Sequence, residues 1–297
     1  MSTGRLVEEL LGEYSVAKVD SLHRILSHVR SRGVAFDLER SVRAEASGVY
    51  TKRLLISFDG EDFRAAFSSD LYAPLGWMGA SSIHMQRLIV FFPKAWRIHF
   101  GWELGVQGWI GKIYLEMRPR VSTSDDKEAS ARFEPDQLLF LGYKWLLSTK
   151  GQGVVSKYKI HTHLPASETL DRWREILVRG NGGREHDAIG RLVERLKLSG
   201  TFDMDLLLLE VSDEGSSRLS YDINLYDLEL DVGAVSDHLL ELTRNAFSGA
   251  VQRQWSDHLS AIAHERLGHL ATGQDRNGSL FWTLYYGAVR VITHSHE

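Results

Sequence analysis

Residues 96–118, WRIHFGWELGVQGWIGKIYLEMR, read as two strands folded back on one another. The spacing predicts strands over Trp96–Gly105 and Trp109–Arg118, with Gly105 and Gly108 punctuating the turn between them. The same grammar recurs on both sides. Upstream, Ala35–Glu45 and Tyr50–Phe58 flank the turn residues Ala46, Ser47, Gly48 and Val49. Downstream, Leu138–Leu147 and Val154–Leu164 meet at a Lys150-Gly151-Gln152-Gly153 tip. Phe202–Val211 and Arg218–Leu225 flank Asp213-Glu214-Gly215, and Gly268–Thr272 with Leu280–Tyr286 flank a turn containing Asp275, Asn277 and Gly278.

Helical periodicity fills the intervals. Leu6, Leu10, Leu11, Tyr14 and Ala17, then Leu22, Ile25, Leu26 and Val29, recur at helical spacing. Further helical stretches are expected around Glu61–Tyr72 and Ser81–Pro93, and in the segments carrying Leu170, Trp173, Ile176 and Leu177, then Ile189, Leu192, Val193 and Leu196. A long helical region holds Leu239, Leu242, Phe247, Val251, Trp255, Leu259 and Ile262. Ser124–Ser130 reads as a polar surface loop.

Five hairpins separated by helices set the fold class as α+β. Short hairpin turns enforce antiparallel pairing, which disfavours a parallel barrel or a doubly wound sheet. Ten antiparallel strands leave two exposed edges unless the sheet closes. The expectation is therefore a closed ten-stranded antiparallel β-barrel with helices outside and a free lumen. No Pro-rich or Gly/Ser-rich linker interrupts the 297 residues, so residues 1–297 read as a single domain, expected to be monomeric.

Composition narrows the function. A formal charge of -4 argues against general nucleic-acid binding, which needs a basic surface. The absence of cysteine excludes disulfides and thiolate metal sites. Met1–Glu13 lacks the basic-then-apolar order of a signal peptide, and the longest apolar runs, such as Leu206–Leu209, are too short to span a bilayer. A cytoplasmic protein without a membrane partner is the default expectation.

The hairpins, taken in order, resemble those of the ABBA (PT-barrel) prenyltransferases, closest to the cyanobactin peptide prenyltransferases. Asp37–Ala44 with Glu45, running on to Arg53–Phe58, is similar to that family's opening hairpin. Phe100-Gly101-Trp102-Glu103-Leu104 followed by Gly111-Lys112-Ile113-Tyr114-Leu115 is similar to the second, and Leu141–Trp145 followed by Lys157–His161 to the third. Gly268–Gly287, with Trp282-Thr283-Leu284-Tyr285-Tyr286, resembles the tyrosine-rich closing hairpin. The resemblance implies five αββα repeats around a lumen that binds a prenyl diphosphate beside an acceptor. In the cyanobactin branch the acceptor is a side chain of a ribosomal peptide and magnesium accompanies the diphosphate. Lys144 and His161 depart from that branch, where an acid and a tyrosine are usual.

Prenyl transfer makes three chemical demands. The departing diphosphate needs cations and hydroxyls as its charge develops. Arg53, Lys112 and Lys159 lie on second strands of successive hairpins, with Tyr114, His161, Tyr226 and Tyr286 as further donors. An allylic cation needs aromatic walls that exclude water, for which Trp102, Trp145, Phe281, Trp282, Tyr285 and Tyr286 are candidates, and Leu208 is a candidate for the lumen floor that sets donor length. The acceptor needs a base. The resemblance points to Glu39, whose carboxylate would have a raised pKa in an apolar barrel, and Glu103 is a candidate for positioning the acceptor. The Asp125-Asp126 pair lacks the third acid of an Asp-rich prenyl-synthase motif, since Ala129 stands there. Mg²⁺ would then be held by the diphosphate rather than by the protein. Donors of dimethylallyl or geranyl length and a peptide side chain are the first expectation. A small indole or phenol acceptor is the alternative, and a non-catalytic barrel for an anionic amphiphile is a third.

Overall fold

The computed structural model of the chain describes residues 8, 12, 14, 19–118, 121–122, 132–133, 136–149, 153–180, 186–200, 204–244 and 246–293. Ten strands form the barrel: β1 Phe36–Glu45, β2 Arg53–Asp59, β3 Arg97–Gly105, β4 Gly108–Glu116, β5 Leu138–Leu146, β6 Val154–Pro165, β7 Asp205–Asp213, β8 Leu219–Asn224, β9 Leu267–Gln274 and β10 Leu280–Val291. Each pairs antiparallel with its neighbours in sequence, and β1 pairs with β10 to close the ring. Closure runs through Arg40↔Tyr286, Ser41↔Tyr285, Val42↔Leu284 and Arg43↔Thr283, so no barrel edge is left open. The expected barrel of antiparallel hairpins is the observed one.

Two details differ from the sequence reading. In the first hairpin the Arg43–Glu45 end of β1 pairs with a short strand, Gly48–Tyr50, while its Asp37–Arg40 part pairs with β2. Arg53 thus begins a strand of its own. The αββα repeat is also incomplete among the described residues. Between β4 and β5 they show a two-residue ladder, Val121–Ser122 with Arg132–Phe133, in place of helices. Ser124–Ser130 lies outside the described residues, as does most of the segment from Leu6 to Ala17.

Eight helices are described: α1 Asp20–Ser31, α2 Gly60–Ala66, α3 Ala73–Trp77, α4 Ser82–Ile89, α5 Ala166–Gly180, α6 His186–Ser199, α7 Ser236–Thr243 and α8 Gly249–Ala261. The long C-terminal helical pattern is broken in two, and Ser248 caps α8 by accepting a bond from the Val251 amide. Strand alternation explains the layers. Leu38, Ile56, Phe58, Ile98, Phe100, Trp102 and Ile113 face outward and pack under α1–α4. Leu206, Leu208, Ile223, Leu270, Trp282 and Leu284 face outward under α5–α8. The hydrophobic core is therefore an annulus between barrel and helices, and the opposite residues of every strand line the lumen. At its hairpin turns Gly215 and Gly278 take positive φ of 73° and 76°, the conformation that glycine adopts without steric cost.

Candidate active site in the barrel lumen

The lumen holds a cavity of about 350 Å³, within the range of small-molecule sites. Its two ends differ in chemistry. Near the hairpin turns, strand starts and ends bring cations inward. Arg53 Nη1 lies 2.5 Å from Glu103 Oε1 as an ion pair rather than an aligned hydrogen bond, and Lys112 Nζ donates to Glu103 Oε2. Lys144 stands directly across from Lys112 in the β4–β5 register, 5.8 Å above the Tyr114 ring. Among the described residues no carboxylate lies within ion-pair distance of it. Arg218 Nη1 donates to Asp213 Oδ1 at 2.9 Å, and Ser156 donates to the same oxygen at 2.5 Å. Arg43 pairs with Glu45 at 2.8 Å and covers the Phe281 ring at 4.0 Å.

This layer sets five inward-facing basic side chains (Arg43, Arg53, Lys112, Lys144, Arg218), with the more exposed Arg276 at its edge 2.7 Å from Asp213, against three carboxylates (Glu45, Glu103, Asp213). Burial acts to raise the Glu103 pKa, but Arg53 and then Lys112 hold it well below the usual carboxylate range. Burial, and then the neighbouring Arg53, push Lys112 down to about 8 despite Glu103. Burial, Arg218 and Lys112 push Lys144 down as well. Uncompensated buried cations are costly, so an anion entering this layer would offset their charge. Tyr114, Tyr158 and Tyr285 surround it, and burial keeps all three phenols protonated as hydrogen-bond donors. Gly142 lets the Tyr114 ring lie against the β5 backbone, since a Cβ there would sit 2.9 Å from that ring.

Toward the ends of the strands that join helices, the lumen turns apolar and then acidic. Leu139, Ile160 and Leu209 pack together with Phe140, Tyr158 and Leu207 beside them. Beyond them Glu39 on β1 accepts a hydrogen bond from the Tyr226 hydroxyl. Burial raises the Glu39 pKa, partly offset by His269. Gly268 makes this contact possible, because a Cβ there would meet Tyr226 Oη at 2.7 Å and Glu39 Oε1 at 2.8 Å. His269 Nδ1 bonds Asp222 Oδ1 at 2.9 Å, and Ser57 bonds His99 Nδ1 at 2.7 Å. His99 Nε2 reaches Glu116 at 3.1 Å, and Asp37 ties Arg97 to Arg290 at the rim. Among the described residues no group of three or more His, Asp or Glu side chains could hold a metal ion. No helix among them is long and apolar enough to cross a membrane.

The closed ten-stranded meander with helices outside has solved counterparts. PriB in its binary complex with product diphosphate is similar at a TM-score of 0.51 and 15% identity, over 84% of this chain and 79% of PriB. The 5-dimethylallyltryptophan synthase from Streptomyces coelicolor is similar at 0.51 and 12% identity, over 84% of this chain and 80% of the synthase. The chain has the PT-barrel fold. No family model matches its sequence, and no curated protein does.

Within this PT barrel the residues singled out from sequence separate by strand face. Glu39, Arg53, Glu103, Lys112, Tyr114 and Tyr226 all line the lumen. Glu103 sits between two cations, as their counterion rather than beside the acceptor end. Lys159 is corrected: it is exposed on the outer face, because β6 turns Tyr158 inward and its neighbours outward. Its neighbour Lys157 likewise pairs with Glu214 at 2.9 Å. His161 also faces outward, against Tyr221 and 3.6 Å from Glu210. Leu208 and Trp282 are buried under α5–α8, and Tyr286 lies on that outer face 3.3 Å from His258. Trp145 is buried in the opposite annulus, where its Nε1 donates to the Met78 carbonyl at 2.9 Å.

The inward-facing residues absent from the sequence reading are Tyr158, Arg218, Asp222 and His269. Tyr285, a sequence candidate for the aromatic wall, lines the lumen on the face opposite Trp282 and Tyr286, and Lys144, a departure from the cyanobactin pattern, also points inward. Which parity faces inward is decided by the Ser41↔Tyr285 pairing across the closing seam, a contact between residues far apart in sequence.

Proposed function

We propose that this PT barrel is a prenyltransferase that moves a dimethylallyl or geranyl group from its diphosphate to an acceptor in the lumen. One observation carries the reading: the buried Arg53 and Lys112 line one end of a single aromatic cavity, and the half-buried Glu39 carboxylate lines the other. The diphosphate would take the layer of Arg53, Lys112, Lys144 and Arg218, with Tyr114, Tyr158 and Tyr285 donating to its oxygens. As the bond from C1 to the diphosphate oxygen breaks, the electron pair leaves on the diphosphate and those donors stabilise it. The prenyl cation is then faced by Tyr158, Phe140 and Tyr285, which exclude water. A new bond forms from C1 to the acceptor atom, and the acceptor's proton passes to Glu39.

Mg²⁺ would ride on the diphosphate. Glu103 is already held by Arg53 and Lys112, and Asp213 by Arg218 and Arg276, so among the described residues that layer leaves neither carboxylate free for the ion. The finer reading is a peptide side chain as acceptor, supported by the resemblance of the hairpins to the cyanobactin branch. A small aromatic acceptor is the second reading, favoured by the fold neighbour solved with DMASPP and Trp. Incubation with dimethylallyl or geranyl diphosphate, Mg²⁺ and a panel of peptides, indoles and phenols tests both. An isoprene mass increment on one acceptor class is expected. Tight donor binding with no increment on any acceptor would leave a non-catalytic barrel for an anionic amphiphile.

A further inference from the structure

The acceptor end contains a second buried acid–base pair that the proposed reaction does not yet use. His269 on β9 and Asp222 on β8 face the lumen from adjacent strands, and their Nδ1–Oδ1 contact is 2.9 Å. The Asp222 side chain is only 11% exposed, so its charge is met mainly by that imidazole. The ring is wedged edge-on between Tyr226, at 5.2 Å and 86°, and Tyr285, at 5.7 Å and 68°. With Nδ1 committed to Asp222, the ring can offer only Nε2 to a ligand, and among the described residues nothing else bonds there. Tyr226 touches both pairs, since its hydroxyl binds Glu39 while its ring abuts His269.

We propose that His269, anchored by Asp222, stands beside Glu39 as a fixed cation and selects a neutral acceptor whose oxygen becomes anionic on losing its proton, a phenol rather than a guanidinium. The inference rests on the prenyl-transfer reading above. The groups facing the pair are Glu39 on β1, Asp222 on β8, Tyr226 after it, Tyr285 on β10, and Arg97, His99 and Glu116 on β3 and β4. Burial acts to lower the His269 pKa, but Asp222 outweighs it and raises it to about 9, so the ring carries its charge at neutral pH. That charge in turn opposes the burial of Glu39 and keeps it closer to its ionised form.

The selection follows from donor and acceptor counts. A phenol gives its O–H to Glu39 and accepts from Nε2–H at the same oxygen. As its proton moves to Glu39, the negative charge developing on oxygen is met by the imidazolium, and that electron pair is consumed when the oxygen or ring carbon bonds C1. A guanidinium has donors only, and it would bring a second positive charge against the ring. An indole N–H can serve Glu39 but leaves Nε2–H without an acceptor.

The test uses two peptides that differ only in carrying Tyr or Arg at one position, with dimethylallyl diphosphate as donor. Wild-type protein should favour Tyr by about 100-fold or more in kcat/KM. His269→Gln and His269→Asn should narrow that ratio by at least about tenfold, leave the donor KM unchanged, and move the acid limb of the Tyr profile to higher pH. The upward sign follows because removing a positive neighbour makes Glu39 harder to ionise. A wild-type preference for Arg, or an acid limb unmoved in both variants, overturns the proposal. If neither peptide is prenylated, the peptide reading of the acceptor is what fails, and the imidazole is then read directly by ¹⁵N NMR. A charged His269 ring at neutral pH in wild type that becomes neutral in Asp222→Asn upholds the fixed cation; a neutral ring in wild type overturns it.

Discussion

Glu39 and Lys112 face opposite ends of the same lumen, and each makes a separable prediction. Replacing Glu39 by Gln keeps the Tyr226 contact but removes the proton acceptor. Turnover should fall about 10²–10⁴-fold, while donor affinity measured by calorimetry stays within a factor of about two. Equal losses in donor affinity and turnover would show that Glu39 is structural. Lys112 titrates at about 8, because burial and Arg53 outweigh the help of Glu103. A bound diphosphate favours its charged form, so donor affinity should decline as pH rises through that value, by up to about tenfold per pH unit. Flat affinity across that interval would show that Lys112 does not touch the diphosphate. Individual residue types were legible in sequence; their partners were not. Glu103 looked like an acceptor-end acid, and only the packed barrel shows it clamped between Arg53 and Lys112.

At the scale of the element, strand parity decides what a side chain can do. Leu208 and Trp282 read as lumen candidates, yet both are outward and fully buried against helices. Leu208→Ala should therefore cost about 2–5 kcal/mol in denaturant unfolding and leave the preference between dimethylallyl and geranyl donors unchanged. A switch in donor length without loss of stability would place Leu208 back in the lumen. Trp173 on α5 is buried to the same degree in that annulus, and Trp173→Ala should cost about 3–5 kcal/mol. The hairpins themselves were readable because each is local: glycine turns, short loops and alternation announce them within about twenty residues. The inward face was not readable in the same way. A one-residue change of register exchanges Tyr285 for Tyr286. The bulges at Leu38/Arg40 and Leu208/Leu209 shift that register without any local signal strong enough to predict them. On β6 the alternation alone turns Tyr158 into the lumen and leaves Lys159 exposed on the outer face.

For the whole molecule, closure of the barrel concentrates charge that an open sheet would expose to water. Five inward-facing basic side chains drawn from five strands or strand ends meet three carboxylates in one layer, and none of those strands could assemble the surplus alone. An anion that binds only the closed barrel should also stabilise it, by about 2.7 kcal/mol at a hundredfold excess over Kd. Inorganic diphosphate should therefore raise the melting temperature of the wild-type protein, and much less that of Lys144→Ala combined with Arg218→Ala. The most direct measurement is a crystal structure with a non-hydrolysable prenyl thiolodiphosphate. The account predicts the diphosphate in contact with Arg53, Lys112, Lys144 and Arg218, with the prenyl chain running past Tyr158 and Tyr285 toward Glu39. A donor lodged outside the barrel, or inside it with its diphosphate at the Glu39 end, would contradict the account.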